Sequence, residues 1–290
     1  MKTFLGIEGG ATRSTAALVD ERGRVLKRAE GGACNLALLR DAQVLRLWRQ
    51  FHRAISPDDL AAVGIFLAGN RRPKDAARVK RLARKIWRRS RIVTGNDAQS
   101  AMAAALGDRD GIVVICGTGS IVLARNGKRA VQVGGHGSLA GDAGSGYWMG
   151  RELLRGVVRQ FDETGRLDAL GRSLLRFLRK RDLEALVQWS ISPSRDEVAS
   201  LTRVLFKHPS HPLSRRIRRE AVALLAEDVA LAARKAGLRA PQVGLNRGLA
   251  KHQPLFRREL ERAIRKKVRG AKVFLSETDG AIGAARLAMG

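Results

Sequence analysis

The sequence predicts an α/β protein that contains two copies of one folding unit. A strand, a turn with Gly and Thr, a second strand, another turn and a third strand begin at Thr3, and the same pattern begins again at Gly111. Segments with helical periodicity follow each set of strands. The chain has 290 residues, of which 44 % are apolar, so it can form two hydrophobic cores of ordinary size.

The first copy is predicted to begin with strands at Thr3–Glu8, Ser14–Val19 and Arg24–Ala29, joined by glycine-containing turns. Its remaining elements alternate between helices and apolar strands. They are a helix over Arg40–Ala54, a buried parallel strand over Ala62–Leu67, a basic helix over Asp75–Arg89, a strand over 92–94 and an alanine-rich helix over Ala98–Leu106.

The second copy is predicted to begin with strands at Gly111–Cys116, Ile121–Arg125 and Arg129–Val133. The chain is then mainly helical to about Gly237, with loops near 190–194 and 208–214. The last predicted elements are a strand over 243–245, one long helix after Gly248 to about Lys267, a strand over Lys272–Leu275 and a helix over Asp279–Met289. The predicted domains are 1–106, joined by the C-terminal helix 277–290, and 107–276.

The two cysteines and the N-terminus exclude several classes of protein. Cys34 and Cys116 have no CxxC spacing, so we expect no disulfide framework, zinc site or cysteine-ligated iron–sulfur cluster. The first residues lack the apolar core and cleavage site of a signal peptide. No apolar run approaches the roughly 20 residues that cross a bilayer. We therefore expect a cytoplasmic protein with no membrane partner.

The net charge of +28 is the unusual property of the composition. Such a field attracts polyanions without any specific motif. The basic residues lie in several predicted helices rather than in one tail, and aromatic residues make up only 4 % of the chain, so platforms for stacking single strands are scarce. Solvated helix faces are the favoured interpretation, and nucleic-acid binding stays open as the alternative.

Two glycine turns connect the first two strands of each copy: Glu8-Gly9-Gly10-Ala11-Thr12-Arg13 and Gly117-Thr118-Gly119-Ser120. Glycines let the backbone approach a phosphate, and amides and threonine hydroxyls can bind its oxygens. Either turn alone is equally typical of an ordinary hairpin. At equivalent points of two similar units, however, they predict a clamp for a polyphosphate. The chain has no GxxxxGK[ST] loop and no complete dinucleotide fingerprint.

Two further segments carry candidate polar groups. Asn96-Asp97 stands between a predicted strand and a helix, where it can serve as an N-cap. The helix N-terminus should keep Asp97 ionised, and an ionised carboxylate can accept a proton from a hydroxyl in phosphoryl transfer. The segment Gly134–Gly146 has six glycines in thirteen positions, which is more than a structural loop requires. In it, Asp142 can accept bonds from two sugar hydroxyls, and His136 is either a base or a contact.

Taken together, these motifs resemble the N-acetylglucosamine kinase family, which belongs to the BadF/BadG/BcrA/BcrD-type ATPases of the actin and hexokinase superfamily. The similarity is dense from Thr3 to about Arg151 and thinner beyond. It implies two actin-like (ribonuclease H-like) lobes with a nucleotide cleft between them. The matching motifs are Gly6–Ser14, Asn35, Asn96-Asp97-Ala98, Gly117–Ser120 and Gly135–Trp148.

The resemblance implies transfer of phosphate from ATP to the 6-hydroxyl of an amino sugar, and it implies a role for each matching position. Asp97 would be the catalytic base, and Glu8 would help to hold hydrated Mg²⁺. The residues implied for ATP are Gly9, Gly10, Thr12, Arg13, Gly117, Thr118, Gly119 and, near the adenosine, Gly248. The residues implied for the sugar are Asn35, Leu36, Asp97, Ser120, Gly135, His136, Gly137, Ser138 and Asp142.

The sequence departs from the family pattern at several positions. His136 replaces a usual Trp, Leu36 and Ala143 replace more polar residues, and Arg247 replaces a second glycine near the nucleotide. These changes leave the phosphate chemistry intact but leave the sugar open between N-acetylglucosamine, glucosamine, N-acetylmuramic acid and another sugar. A homodimer is also left open. The alternative function is a nucleotide-dependent switch, or a basic nucleic-acid-binding protein, without sugar turnover.

Overall fold

The computed structural model describes residues 2–10, 13–55, 60–246 and 248–290. The chain divides into two compact units, Met1–Arg109 with Ser276–Gly290, and Asp110–Leu275. Each unit has a five-stranded sheet with helices, which confirms the α/β class. The predicted domains, 1–106 with 277–290 and 107–276, stay a prediction.

The sheet of the first unit has the strand order β3-β2-β1-β4-β5. Strand β1 is antiparallel to β2 and parallel to β4. The strands are β1 (Thr3–Gly9), β2 (Arg13–Asp20), β3 (Val25–Gly32), β4 (Ala62–Leu67) and β5 (Arg91–Gly95). The first three helices are α1 (Asp41–Ile55), α2 (Pro73–Ala83) and α3 (Asp97–Leu106).

The sheet of the second unit has the order β10-β9-β6-β7-β8, which is the same arrangement. Strand β6 is antiparallel to β7 and parallel to β9. The strands are β6 (Gly111–Cys116), β7 (Ser120–Asn126), β8 (Arg129–Gly134), β9 (Gln242–Asn246) and β10 (Lys272–Ser276). The helices are α4 (Gly146–Thr164), α5 (Ala169–Leu178), α6 (Leu183–Ser190), α7 (Arg195–Ser200), α8 (Thr202–Lys207), α9 (Pro212–Ala236), α10 (Gly248–His252) and α11 (Pro254–Lys267).

The last helix, α12 (Gly280–Met289), belongs to the first unit and lies directly on β1 and β4. Glycines make this close approach possible. A Cβ on Gly6 would lie 1.9 Å from the carbonyl oxygen of Ala281, and a Cβ on Gly64 would lie 2.1 Å from that of Ala284. Both strand positions therefore exclude any side chain.

The two faces of the first sheet bury different helices because side chains alternate along a strand. From β1, Leu5 and Ile7 join Trp48 and Phe51 in the core under α1 and α2. Phe4 points to the opposite face and packs with the small residues of α12. The same alternation places the side chain of Glu8, near the end of β1, on the face that α12 covers.

Two predicted helices were wrong in their extent. The helix predicted over Asp75–Arg89 ends at Ala83, and the chain then turns so that Trp87 is buried, with its ring centroid 6.1 Å from that of Trp48. Burial of the large ring outweighs the helical pattern of the basic residues. The single helix predicted to run to Lys267 is divided into α10 and α11, because Pro254 cannot donate the backbone hydrogen bond of a continuous helix.

The cysteines are free and buried, and burial raises the pKa of Cys34 to about 11 and that of Cys116 to about 12. Among the described residues, no group of three or more His, Cys, Asp and Glu side chains could hold a metal ion. Within the same part of the chain, no helix combines the length and the apolar character needed to span a membrane.

Candidate active site

The first glycine turn lies at the end of β1 and is joined to two neighbouring loops. The Ala68 amide donates to the Gly9 carbonyl at 2.7 Å, and the Cys34 amide donates to the Gly10 carbonyl at 3.1 Å. A Cβ on Gly9 would lie 2.6 Å from atoms of Cys34, so this position requires glycine. Arg13 opens β2 and is exposed. Thr12, predicted to bind phosphate, lies outside the described residues.

Asn35 lies in the loop between β3 and α1. Its Oδ1 atom accepts from the Ala37 amide at 3.0 Å and lies where a Cβ on Gly69 would meet it at 2.6 Å. Leu36 is buried in the core of the first unit, and its carbonyl accepts from Arg78 Nη1 at 2.7 Å. The Leu36 side chain therefore serves the core, and its predicted contact with the sugar stays a prediction that is based on its position next to Asn35.

Asp97 is the first residue of α3, and the cap is Asn96. The Asn96 side chain accepts from the Gln99 amide at 3.0 Å, and the Gln99 side chain accepts from the Asn96 amide at 3.0 Å. The cap is thus made by Asn96 and Gln99, while the Asp97 carboxylate has its own partners, the backbone amides of Asp97 and Ala98.

The electrostatic surroundings of Asp97 act differently from the sequence-based expectation. Burial raises the pKa of this carboxyl, although the backbone amides of Asp97 and Ala98 and the charge of Arg71 act to lower it. The helix N-terminus therefore does not decide the direction of the shift, because removal of the carboxylate from water outweighs it. A carboxylate with a raised pKa is a better proton acceptor.

Ser100 connects Asp97 to Glu8. Its hydroxyl lies 2.9 Å from the Asp97 carbonyl and 3.3 Å from Glu8 Oε1. Glu8 is 7 % exposed, and a Cβ on Gly280 would lie 2.2 Å from Glu8 Oε1, so glycine at the start of α12 makes room for the carboxylate. Mg²⁺ bound to a nucleotide commonly uses one or two protein carboxylates together with phosphate oxygens, and Glu8 fits that donor set.

The second glycine turn is held by the helices that follow it in the fold. The Gly146 amide of α4 donates to the Gly117 carbonyl at 2.8 Å. A Cβ on Gly248 would lie 2.4 Å from the Cys116 carbonyl oxygen and 2.6 Å from Gly117 Cα, so α10 begins directly against the turn. The Thr118 hydroxyl donates to Asp196 Oδ1 at 2.8 Å. Arg247 lies outside the described residues.

Asp142 lies beneath this turn and is only 4 % exposed. Its Oδ1 atom accepts from the Ser120 amide at 3.2 Å, and a Cβ on Gly119 would touch the carboxylate at 2.9 to 3.0 Å. Its Oδ2 atom is bound by Arg195 Nη2. Ser120 also donates its hydroxyl to the Ala143 carbonyl at 2.8 Å. The structure thus brings together Gly119, Ser120 and Asp142.

The rest of the glycine-rich loop has the backbone that its composition predicts. Gly135 and Gly137 adopt φ values of +70° and +89°, which favour glycine. His136 is exposed, Ser138 is half-buried, and the Gly141 amide closes the loop by donating to the Gly137 carbonyl at 2.8 Å. The predicted sugar contacts of these residues stay predictions.

Sequence reasoning missed three residues that the structure adds to the candidate site. Ser100 follows Asp97 by three positions, a spacing that places both on one helix face and could have indicated it. Arg195 contacts Asp142, which is 53 residues away in the chain. Asp196 contacts Thr118, which is 78 residues away. No local pattern could have indicated these two, because only the tertiary fold places α7 beside the turn.

Curated relatives cover most of the chain. The N-acetylmuramic acid/N-acetylglucosamine kinase of Clostridium acetobutylicum is 30% identical over 214 residues, which are 71% of this chain and 70% of that protein. The N-acetyl-D-glucosamine kinase of Dictyostelium discoideum is 30% identical over 224 residues, which are 70% of each protein.

A solved structure shows the same fold over nearly the whole length. It is a candidate N-acetylglucosamine kinase from Porphyromonas gingivalis, 20% identical, with a TM-score of 0.80 over 99% of this chain and 98% of that one. The model of the BadF/BadG/BcrA/BcrD ATPase family matches residues 5–288. Because this match covers nearly the whole chain, the chain belongs to the BadF/BadG/BcrA/BcrD ATPase family.

Proposed function

We propose that this protein is an ATP-dependent kinase that transfers phosphate to the 6-hydroxyl of an amino sugar. The observation that carries the proposal is Asp97, a carboxylate with a raised pKa at the start of a capped helix in a family of ATPases. The relatives that match about 70% of their length are kinases of amino sugars, which supports this class of acceptor.

Asp97 is assigned the role of general base. The attacking hydroxyl must lose its proton as the new bond to phosphorus forms, and a carboxylate within hydrogen-bond reach can accept that proton. The Asn96–Gln99 capping box forms the cap of the helix. The backbone amides of Asp97 and Ala98 hold the Asp97 carboxylate, and each carboxylate oxygen has two acceptor positions, so a proton can still be accepted. Burial raises its pKa, which increases its basicity in the ionised form.

The glycine turns and Thr118 are assigned to the phosphates of ATP. Phosphoryl transfer depends mainly on positioning and on neutralising charge at the phosphate oxygens. The glycines at positions 9, 10, 117 and 119 let the backbone come close to these oxygens. In the structure the Gly10 and Gly117 amides donate within their own turns and the Thr118 hydroxyl donates to Asp196, so these donors would exchange partners when a phosphate binds. Glu8 would hold hydrated Mg²⁺, which supplies charge neutralisation when it is bound. Gly248 is assigned to the adenosine.

The sugar is assigned to Asn35, Asp97, Ser120, Asp142 and the loop of Gly135 to Ser138. Asp142 is the strongest of these assignments, because each oxygen of its carboxylate accepts one hydrogen bond from the protein and can accept a second from a hydroxyl. We further propose that the protein is cytoplasmic, and a homodimer is compatible with the family.

Release of ADP from purified protein across a panel of sugars tests the proposal. The panel contains N-acetylglucosamine, glucosamine, N-acetylmuramic acid and glucose, and 6-deoxy-N-acetylglucosamine serves as the matched control because it lacks the acceptor hydroxyl. We expect at least one amino sugar to raise ADP release well above the sugar-free rate and the 6-deoxy sugar to have no such effect. Stimulation by no sugar would favour the nucleotide-dependent switch instead.

A further inference from the structure

The buried carboxylate of Asp142 has a cationic partner that comes from a distant helix. Arg195, the first residue of α7, binds Asp142 Oδ2 through Nη2. The Asp142 side chain is 6% exposed, whereas the Arg195 side chain is 50% exposed. The guanidinium therefore spans the distance from the buried carboxylate to the solvent.

The hydrogen bonds to Asp142 fix the orientation of the carboxylate but do not use all of its acceptor positions. Its Oδ1 atom accepts from the Ser120 amide at 3.2 Å, and its Oδ2 atom accepts from Arg195. Each carboxylate oxygen has two acceptor positions, so one position on each oxygen remains for a ligand hydroxyl. A buried carboxylate also requires a compensating charge, and the guanidinium provides it.

The packing of α7 fixes the backbone position of Arg195. A Cβ on Gly150 of α4 would lie 1.9 Å from the Val198 carbonyl oxygen, so α7 lies directly on α4. The Ser194 and Glu197 side chains form a capping box around the start of α7. The guanidinium carbon lies 5.9 Å from the centre of the Tyr147 ring, within the range of a cation–π contact.

We propose that Arg195 is a positioning residue for the sugar, acting through Asp142. The proposal rests on the proposed function and extends it to a residue that the motifs do not include. Arg195 holds the carboxylate in the orientation in which one acceptor position on each oxygen remains for a sugar hydroxyl. Loss of the guanidinium should therefore weaken binding of the sugar and leave binding of ATP largely unaffected.

The test compares Arg195→Ala, Arg195→Gln and Arg195→Lys with the wild type in the ADP-release assay. We expect Arg195→Ala to raise the KM for the sugar roughly tenfold or more and to change the KM for ATP by less than about twofold. Lysine keeps the positive charge, so Arg195→Lys should restore part of the sugar KM. Glutamine keeps hydrogen-bond donors without the charge and should restore less.

Two control variants separate positioning from a structural effect. Glu197→Ala opens the capping box of the same helix turn but removes no contact to Asp142, and Arg203→Ala removes one exposed cation from α8. Both controls should keep the wild-type sugar KM. If Glu197→Ala raised the sugar KM as much as Arg195→Ala does, the effect would come from a loosened α7, and the proposal would be wrong.

The variants are compared only after melting curves show that each is folded. A folded Arg195→Ala with the wild-type sugar KM overturns the proposal. Failure of the kinase function has a different signature, because then the wild type itself shows no sugar-dependent ADP release. If Arg195→Ala does not fold, the test depends on the folded Arg195→Lys and Arg195→Gln variants. The proposal is overturned if both of these variants have the wild-type sugar KM.

Discussion

The two units share a strand order, yet their central carboxylates lie in opposite surroundings. In the first unit, Asp97 starts α3, and burial raises its pKa. In the second unit, Asp142 is buried more fully but is matched by the Arg195 guanidinium and the Ser120 amide. A carboxylate whose ionised form is disfavoured suits proton transfer, whereas a carboxylate held by a cation suits steady binding of hydroxyls.

The central strands of the two units also differ in composition. In the first unit, Gly6 and Gly64 allow α12 to lie against the strand backbone. In the second unit, the corresponding strand β6 has no glycine after Gly111 and carries Ile112, Val113, Val114 and Ile115. One strand order thus accommodates both a central strand with glycine at a helix contact and a central strand filled by branched side chains.

The largest expected effect is the loss of turnover on Asp97→Asn. The amide cannot accept the proton, so kcat should fall by about 10²-fold or more in the ADP-release assay. The wild-type kcat should decrease as the pH falls through the raised pKa of Asp97, because the base becomes protonated, and the variant should lack this dependence. Asp182→Asn, the same change at the start of α6, is the control and should keep full activity.

The same variant has a stability consequence of known sign. The pKa of the Asp97 carboxyl is higher in the folded state than in the unfolded chain, so the folded state binds the carboxyl proton more tightly. The free energy of unfolding therefore decreases as the pH rises from the unfolded pKa through the folded pKa. Asp97→Asn should therefore melt at or above the wild-type temperature at pH 7, with the difference disappearing at low pH.

The catalytic prediction has its own contradicting outcome. If Asp97→Asn kept a near-normal kcat, Asp97 would not be the base of the mechanism.

The next effect tests the packing of α12. Gly6→Ala places a methyl group 1.9 Å from a backbone oxygen, so the helix must move, and the free energy of unfolding should fall by roughly 2 kcal/mol or more. Gly32→Ala in β3 is the matched control, since a Cβ there meets no atom within 4 Å. Equal denaturation midpoints for the two variants would show that α12 does not depend on Gly6.

A smaller effect is expected at the second glycine turn. Thr118→Val removes the hydroxyl assigned to a phosphate, so the KM for ATP should rise by up to about tenfold while the sugar KM changes little. Thr164→Val, near the end of α4 and exposed, should leave both values unchanged. An unchanged nucleotide affinity of Thr118→Val in calorimetry would argue against the phosphate clamp.

The smallest effect concerns the net charge of +28. If the basic residues are solvated faces, the kinase rate should change by less than about threefold between about 50 and 200 mM salt, and duplex DNA should bind weakly and without sequence preference. Fluorescence anisotropy with labelled DNA measures this. A tight, sequence-selective complex with a steep dependence on salt would instead indicate a nucleic-acid site.

Much of the candidate site could be predicted from the sequence because its residues lie where strands end. Gly9, Asp97 and Thr118 each follow or begin an element with clear periodicity, so their neighbourhoods were predictable from local pattern. The extent of α2 was less predictable, because the basic residues continue the helical pattern while burial of Trp87 ends it.

The sequence by itself determined the repeated strand pattern, the two glycine turns and the candidate base, because these depend on residue spacing and backbone freedom within short segments. Only the tertiary structure decided that burial raises the pKa of Asp97, that α12 rests on Gly6, and that Arg195 binds Asp142. The physical reason is that desolvation, steric contact and ion pairing act between segments that are distant in the chain, and none of them leaves a local periodicity.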